Sequence, residues 1–171
     1  SNLEGLAFDQ MNYPYEEKSF VFQGHNIAYI DSGSGSPLVF LHGQASDLLN
    51  FDPIFPLFLS SYRIIALDYP GFGKSDKPEI AFSEDFLVGL LDKLYEATSI
   101  ESATLIGHSY GGYVAMVYGS ARPERVTSMV LVSPAGIQEF NSFMSTAMRK
   151  SFTVEAIMKT SLEKAMQNDS F

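Results

Sequence analysis

The sequence contains no cysteine, which removes disulfide frameworks, thiolate metal sites and cysteine nucleophiles together. That absence fits a reducing compartment, and a cytoplasmic location is expected. Basic residues are scarce: 11 Lys and Arg stand against 20 Asp and Glu, a net charge of −9. A nucleic-acid-binding surface carries the opposite sign, so no nucleic-acid partner is expected, and the acidity reads as a solubility device. No apolar run approaches the ~20 residues of a membrane span. The longest, such as residues 38–41 and 129–132, have strand length, and no membrane partner is expected. Residues 1–10 lack a basic stretch followed by an apolar one, so no signal peptide is visible. Ser1-Asn2 without an initiator Met reads as a cleavage scar. There is no internal repeat or low-complexity tract.

What remains is a globular composition. The 171 residues are 46% hydrophobic and 18% charged, enough for one compact core. Residues 18–22 and 26–30 are rich in β-branched and aromatic types and flank Gly24, which predicts a hairpin. Residues 37–41, 62–67, 103–106 and 126–132 are continuous apolar runs, the pattern of strands buried on both faces of a parallel sheet. Helical patterns lie between them. Ser83 is placed to cap a helix whose first turn holds Glu84 and Asp85, favourable at the positive end of the helix dipole. Phe86, Leu87, Leu90, Leu91 and Leu94 then keep one face. A second helix carries Tyr113, Val114, Val117 and Tyr118 and stops at Pro123. Residues 50–59 predict a shorter helix interrupted by Pro53 and Pro56. Strands alternating with helices give an α/β fold built from right-handed crossovers. From residue 137 onward two apolar helical stripes follow, one with Phe140, Phe143, Met144 and Met148, the other with Val154, Ile157, Met158 and Leu162.

Gly107-His108-Ser109-Tyr110-Gly111 is a G-x-S-x-G motif with an apolar strand before it and an amphipathic helix after it. That context suits nucleophilic chemistry: a sharp strand-to-helix turn lifts the serine hydroxyl clear of the backbone, the glycines leave room, and the helix N-terminus faces developing negative charge. Other segments agree in order and spacing. Residues 37–41 run into His42-Gly43-Gln44; Asp68-Tyr69-Pro70-Gly71-Phe72-Gly73-Lys74-Ser75-Asp76 follows the next strand; Val132-Ser133-Pro134-Ala135-Gly136 ends the last. Over roughly residues 20–136 the chain resembles the α/β-hydrolase family, in its capped serine-hydrolase branch. The resemblance implies a mostly parallel, doubly wound sheet of the α/β-hydrolase type with an N-terminal antiparallel hairpin, the last strands missing, and a helical cap segment at the C-terminus. Residues 1–136 are expected to form the core and 137–171 the cap or lid.

The resemblance also implies roles. Ser109 is the expected nucleophile, with Gly107, His108 and Gly111 completing the elbow. The backbone N–H groups of Gln44 and Tyr110 are the expected oxyanion hole, one such donor being worth ~3 kcal/mol. No cofactor and no metal are implied. A serine at the elbow argues against dehalogenase and epoxide hydrolase chemistry, whose family members use an aspartate there. Gly71-Phe72-Gly73 lacks the further residues of a phosphate loop and reads as a structural turn; Asp68 reads as structural too. The methionines of residues 137–171 fit core packing and an adaptable apolar pocket equally.

The base is the gap. The family supplies an acid and then a histidine after strands later than the cap, positions this sequence does not reach. Its three histidines are His25, His42 and His108. His108 should point away from its neighbour Ser109, His25 lies in the hairpin, and His42 resembles a buried structural histidine of the oxyanion turn, with base as its alternative role. The chain alone is therefore expected to be inactive, an incomplete form of an enzyme for a small, fairly apolar ester or related carbonyl substrate. The alternative is a non-catalytic binding or receptor module. The unpaired edge beside residues 126–132 invites self-association.

Overall fold

The computed structural model of the chain describes residues 12–135. The expected cap segment, 137–171, lies outside the described residues, as does Gly136.

The sheet grows from a hairpin. β1 (Glu17–Phe22) pairs antiparallel with β2 (His25–Gly33), Phe22 opposite His25. The two turn residues, Gln23 and Gly24, both have positive φ, 49° and 82°, the backbone that lets a two-residue turn match the strand twist. β3 (Ser36–Leu41), β4 (Tyr62–Leu67), β5 (Ala103–His108) and β6 (Val126–Val132) complete a six-stranded sheet of order β1-β2-β4-β3-β5-β6. β2 runs antiparallel to β4; the β4-β3-β5-β6 portion is parallel. The parallel ends of β3 and β5 therefore sit side by side at the middle of the sheet.

The continuous apolar runs are explained by two cores. Val39, Leu41, Ile65, Leu67 and Leu105 face one cluster, closed by α2 (Glu84–Thr98) and α3 (Tyr110–Ala121) through Leu91, Leu94, Val114 and Tyr118. Leu38, Phe40, Ile64, Ala66 and Ile106 face the other, closed by Leu48, Phe51 and Phe55. Each fully buried Leu, Ile or Phe contributes roughly 1.5–3 kcal/mol of transfer free energy. Ser83 caps α2 as its sequence predicts, its Oγ accepting from the Phe86 N–H at 3.1 Å.

Two expectations need correction. Residues 50–59 do not form one interrupted helix. A 3-10 turn spans Leu48–Phe51, capped by the Asp47 carboxylate on the Leu49 N–H, and a single α-helical turn, α1, spans Phe55–Phe58. Pro53 and Pro56 supply no N–H, so the segment breaks into two short pieces, with Pro56 tolerated in the first turn of the second. β6 was expected to be buried on both faces. Instead Met129, Val130 and Val132 are 44%, 48% and 48% exposed, because among the described residues mainly β5 and α3 flank it. Among the described residues no helix is long and apolar enough to cross a membrane.

Candidate active site

Between the last residue of β5 and the first of α3 stands Ser109, at φ 54°, ψ −115°. A serine before a helix ordinarily adopts extended backbone and caps an N–H with its hydroxyl. Ser109 does neither: its φ is left-handed and its side chain makes no cap hydrogen bond. Such a backbone costs an L-residue of order 1–3 kcal/mol and persists only where the surroundings enforce it.

The surroundings are glycines and main chain. A Cβ on Gly111 would overlap the Leu41 carbonyl at the end of β3, and one on Gly107 would lie 2.6 Å from the Gly111 carbonyl carbon. These positions need glycine for close approach of backbone to backbone. The helix therefore starts hard against the strand ends, and residue 109 makes the whole reversal.

The turn after β3 lies against this bend. A Cβ on Gly43 would stand 3.3 Å from both Ser109 Cβ and His108 Nδ1. Gln44 follows and is exposed; Ala45 then takes φ 51°, so the turn passes through a left-handed residue directly after the expected amide donor. Ser109, Gly107, His108, Gly111, Tyr110 and the Gly43-Gln44 turn, expected together from their order in the chain, are brought to one place. His108 lies with its ring beside the turn, and its buried Nδ1 finds no hydrogen-bond partner among the described residues.

His42 is fully buried. Its Nδ1 lies 2.7 Å from the Gly43 carbonyl and its Nε2 3.3 Å from the Tyr69 amide N. A carbonyl only accepts and an amide N–H only donates, so these partners assign the neutral Nδ1–H tautomer. Burial pushes its pKa down to about 4, opposed by the Gly43 hydrogen bond. With both nitrogens engaged by backbone, His42 stiffens the turn and is not available as the serine's base. His25, half-buried, begins β2 at the same end of the sheet, but β4 and β3 separate β2 from β5. At ~4.8 Å per strand step that is roughly 14 Å.

A buried carboxylate ties the neighbouring loops together. Asp68 accepts from Tyr13 Oη at 2.7 Å, the Leu48 N–H at 2.8 Å and the Lys74 N–H at 2.9 Å. Burial raises its pKa, against the lowering effect of these donors. The loop's other polar residues bind to backbone: Ser75 Oγ donates to the Asp68 carbonyl at 2.6 Å and accepts from the Ala28 N–H at 2.8 Å, while Asp76 accepts from the Asn26 N–H at 2.7 Å. Asp68 thus has the structural role its sequence context implied. Gly73, at φ 48°, leaves no room for a side chain over the carboxylate. Tyr13, 55 residues away in sequence, was not foreseen; no local pattern marks a tyrosine for a distant carboxylate.

The exit of β6 also meets the bend. The Ser109 N–H donates to the Val132 carbonyl and the Ala135 N–H donates to the Ser109 carbonyl, each at 2.9 Å.

A strand, a left-handed serine and a helix, with a glycine turn from the neighbouring strand packed on the bend, define the α/β-hydrolase class, and the chain belongs to the α/β-hydrolase fold family, whose sequence profile matches residues 36–164. Among individual proteins it is 29% identical over 162 residues to 2-hydroxy-6-oxo-6-(2'-aminophenyl)hexa-2,4-dienoic acid hydrolase of Metapseudomonas resinovorans, covering 92% of this chain and 55% of that one. It is 34% identical over 130 residues to 2-hydroxymuconate semialdehyde hydrolase of Pseudomonas sp. strain CF600, covering 74% and 46%. The crystal structure of a meta-cleavage product hydrolase superposes with a TM-score of 0.66 at 34% identity, covering 72% and 47%. The chain thus spans about half the length of the relatives it matches.

Proposed function

We propose that the protein is a serine hydrolase acting on a small, fairly apolar ester or related carbonyl compound. Ser109 is its nucleophile, and the backbone N–H groups of Gln44 and Tyr110 stabilise the oxyanion. The observation that carries this reading is the conformation of residue 109: a serine at φ 54°, ψ −115° whose hydroxyl caps nothing, beside the Gly43 turn. Strain at a polar residue between a strand and a helix, enforced by glycines, is what aiming a nucleophile requires. The similar proteins support a carbonyl substrate, since their names denote hydrolases of an oxo-dienoic acid and of a semialdehyde.

Attack on the carbonyl carbon transfers the hydroxyl proton to a base and puts negative charge on the carbonyl oxygen. Two backbone donors facing that oxygen contribute ~3 kcal/mol each. Two of the three histidines are unsuited as the base: His42 is spent on backbone and β2, which carries His25, lies two strands beyond β3. His108 directly precedes Ser109 in the chain, where neighbouring side chains of a strand point to opposite faces. In this reading the base belongs to the part of the whole protein that the relatives' greater length leaves outside this chain. Removing the serine or histidine of such a set costs on the order of 10⁶ in kcat, so this chain alone binds substrate-like molecules better than it turns them over. The same missing base favours a second reading, a non-catalytic binding module on the same scaffold.

Treating the full-length protein with a fluorophosphonate probe separates the two. Labelling is expected at Ser109 and lost in Ser109→Ala. A folded full-length protein that takes up no probe supports the binding module, and labelling that survives Ser109→Ala removes Ser109 as nucleophile.

A further inference from the structure

The parallel ladder between β5 and β6 runs to His108 opposite Val132 and then continues onto the bend. The Ser109 N–H donates to the Val132 carbonyl and its carbonyl accepts from the Ala135 N–H, both at 2.9 Å. Between these two bonds Ser133 takes φ 45°, a left-handed residue directly after β6 as Ser109 is directly after β5. Pro134 fills the space that Gly112 leaves: a Cβ on Gly112 would lie 2.5 Å from Pro134 Cβ and 2.9 Å from its Cα. α3 adds donors to the same Ser109 carbonyl, Gly112 N–H at 3.0 Å and Tyr113 N–H at 3.4 Å. The Ser109 N–H goes to the exit of β6, and its carbonyl is shared between that exit and α3.

We infer that the exit of β6 positions the nucleophile: Ala135 through its N–H on the Ser109 carbonyl, and Pro134 through its contact with Gly112. This rests on the reading of Ser109 as nucleophile. A residue held off its preferred backbone relaxes unless its surroundings over-determine it, and here the bonds that cross to residue 109 from another strand come from residues 132 and 135. The hydroxyl direction of Ser109 is therefore coupled to the path the chain takes after β6. Ala135 acts through the backbone of residue 109 and Pro134 through Gly112.

The test uses the full-length protein, the fluorophosphonate probe and 4-nitrophenyl acetate turnover. Ala135→Pro deletes the N–H and is expected to lower the labelling rate and kcat by 10- to 100-fold with KM within about threefold, since the loss is in aiming and not in binding. Ala135→Ser keeps the N–H and is expected to stay within about threefold of wild type in both. Gly112→Ala pushes Pro134 away and is expected to lose a similar factor. Adding Pro134→Gly removes the nearer of the two atoms that the new methyl meets, the Cα at 2.9 Å staying in place, and is expected to recover part of the loss. Ala135→Pro labelling at the wild-type rate overturns the inference while leaving the hydrolase reading intact. So does a loss that merely follows the folded fraction measured by circular dichroism, or a double variant no better than Gly112→Ala. An unlabelled wild type overturns the hydrolase reading, and this inference with it.

Discussion

His42 gives a prediction that needs no substrate. It is fully buried, hydrogen-bonded at both nitrogens to backbone, and its pKa is pushed down to about 4 from an ordinary 6.5. A folded-state value below the unfolded one means the unfolded chain takes up the proton first as pH falls. The stability this neutral histidine secures is complete above pH 6.5, declines as pH falls from there, and is gone below about 4. At 1.36 kcal/mol per pH unit the whole decline comes to about 3 kcal/mol, with somewhat under half of it already lost near pH 5.5. Asp31, whose carboxyl Arg63 holds below its ordinary range through hydrogen bonds of 2.8 and 2.7 Å, destabilises at lower pH for the same formal reason. A difference between two proteins that share it removes that background.

The comparison protein is His42→Asn. Its amide N–H replaces the Nδ1–H donor toward Gly43, it does not titrate, and it loses the acceptor for the Tyr69 N–H, so it starts less stable at neutral pH. Urea unfolding of both proteins from pH 7.5 to 4 should show the gap between them shrinking by about 3 kcal/mol. Proton NMR adds a direct readout, because the sequence has three histidines to assign. One ring should show no titration above pH 5 and carry its proton on Nδ1. A gap that stays constant with pH, or three rings all titrating near their ordinary value, would refute the assignment of His42 as a neutral brace.

Two further substitutions probe the same region in opposite directions. Asp68→Asn should lower stability by about 2–3 kcal/mol in chemical denaturation, because three donors converge on the carboxylate and an amide must turn its own NH₂ toward one of them; an unchanged midpoint would contradict this. Tyr69→Phe should leave stability unchanged or raise it by about 1 kcal/mol, because the buried Tyr69 hydroxyl has no hydrogen-bond partner among the described residues and an unmet buried hydroxyl costs that order. A loss above 1 kcal/mol would show that the hydroxyl has a partner.

Much of this architecture was legible because it is written locally. The run at residues 62–67 became β4 and the run at 126–132 became β6 with the same bounds, and Ser83 caps α2. Apolar periodicity, a capping serine and a G-x-S-x-G motif each act within a few residues of themselves. The strand order was not local: β2 inserts antiparallel beside β4, a pairing set by which edge the hairpin can reach. The region between β3 and β4, read as a shorter helix interrupted by Pro53 and Pro56, is instead two separate short pieces, a division sharper than the two prolines alone indicated. The apolar run of β6 reports what a strand can bury, not what lies beside it, and Met129, Val130 and Val132 stay partly exposed. Ser109 and the Gly43 turn were placed together by motif order, but the Tyr13 hydroxyl on Asp68 and the Val132 and Ala135 bonds on Ser109 arise only from packing.

Backbone strain separates the site from the rest of the described fold. Among the described residues five non-glycine residues have positive φ: Gln23, Ala45, Ser99, Ser109 and Ser133. Two have ordinary local reasons: Gln23 sits in the two-residue hairpin turn, and Ser99 closes the C-terminus of α2, donating its N–H to Glu96 and Tyr95 carbonyls. The other three stand in the loops leaving β3, β5 and β6, which are adjacent in the sheet. A turn or helix cap uses a left-handed residue to satisfy its own backbone. Three such residues at neighbouring strand ends, one of them a serine whose hydroxyl does no capping, satisfy no local need that Gly or Asn would not meet at lower cost. Folding alone would not retain a serine at position 109 against that cost. The strain is intelligible as the energy that keeps a hydroxyl off the backbone and beside the Gly43 turn, with Gly107, Gly111 and Gly112 clearing the space and the exit of β6 holding the bend.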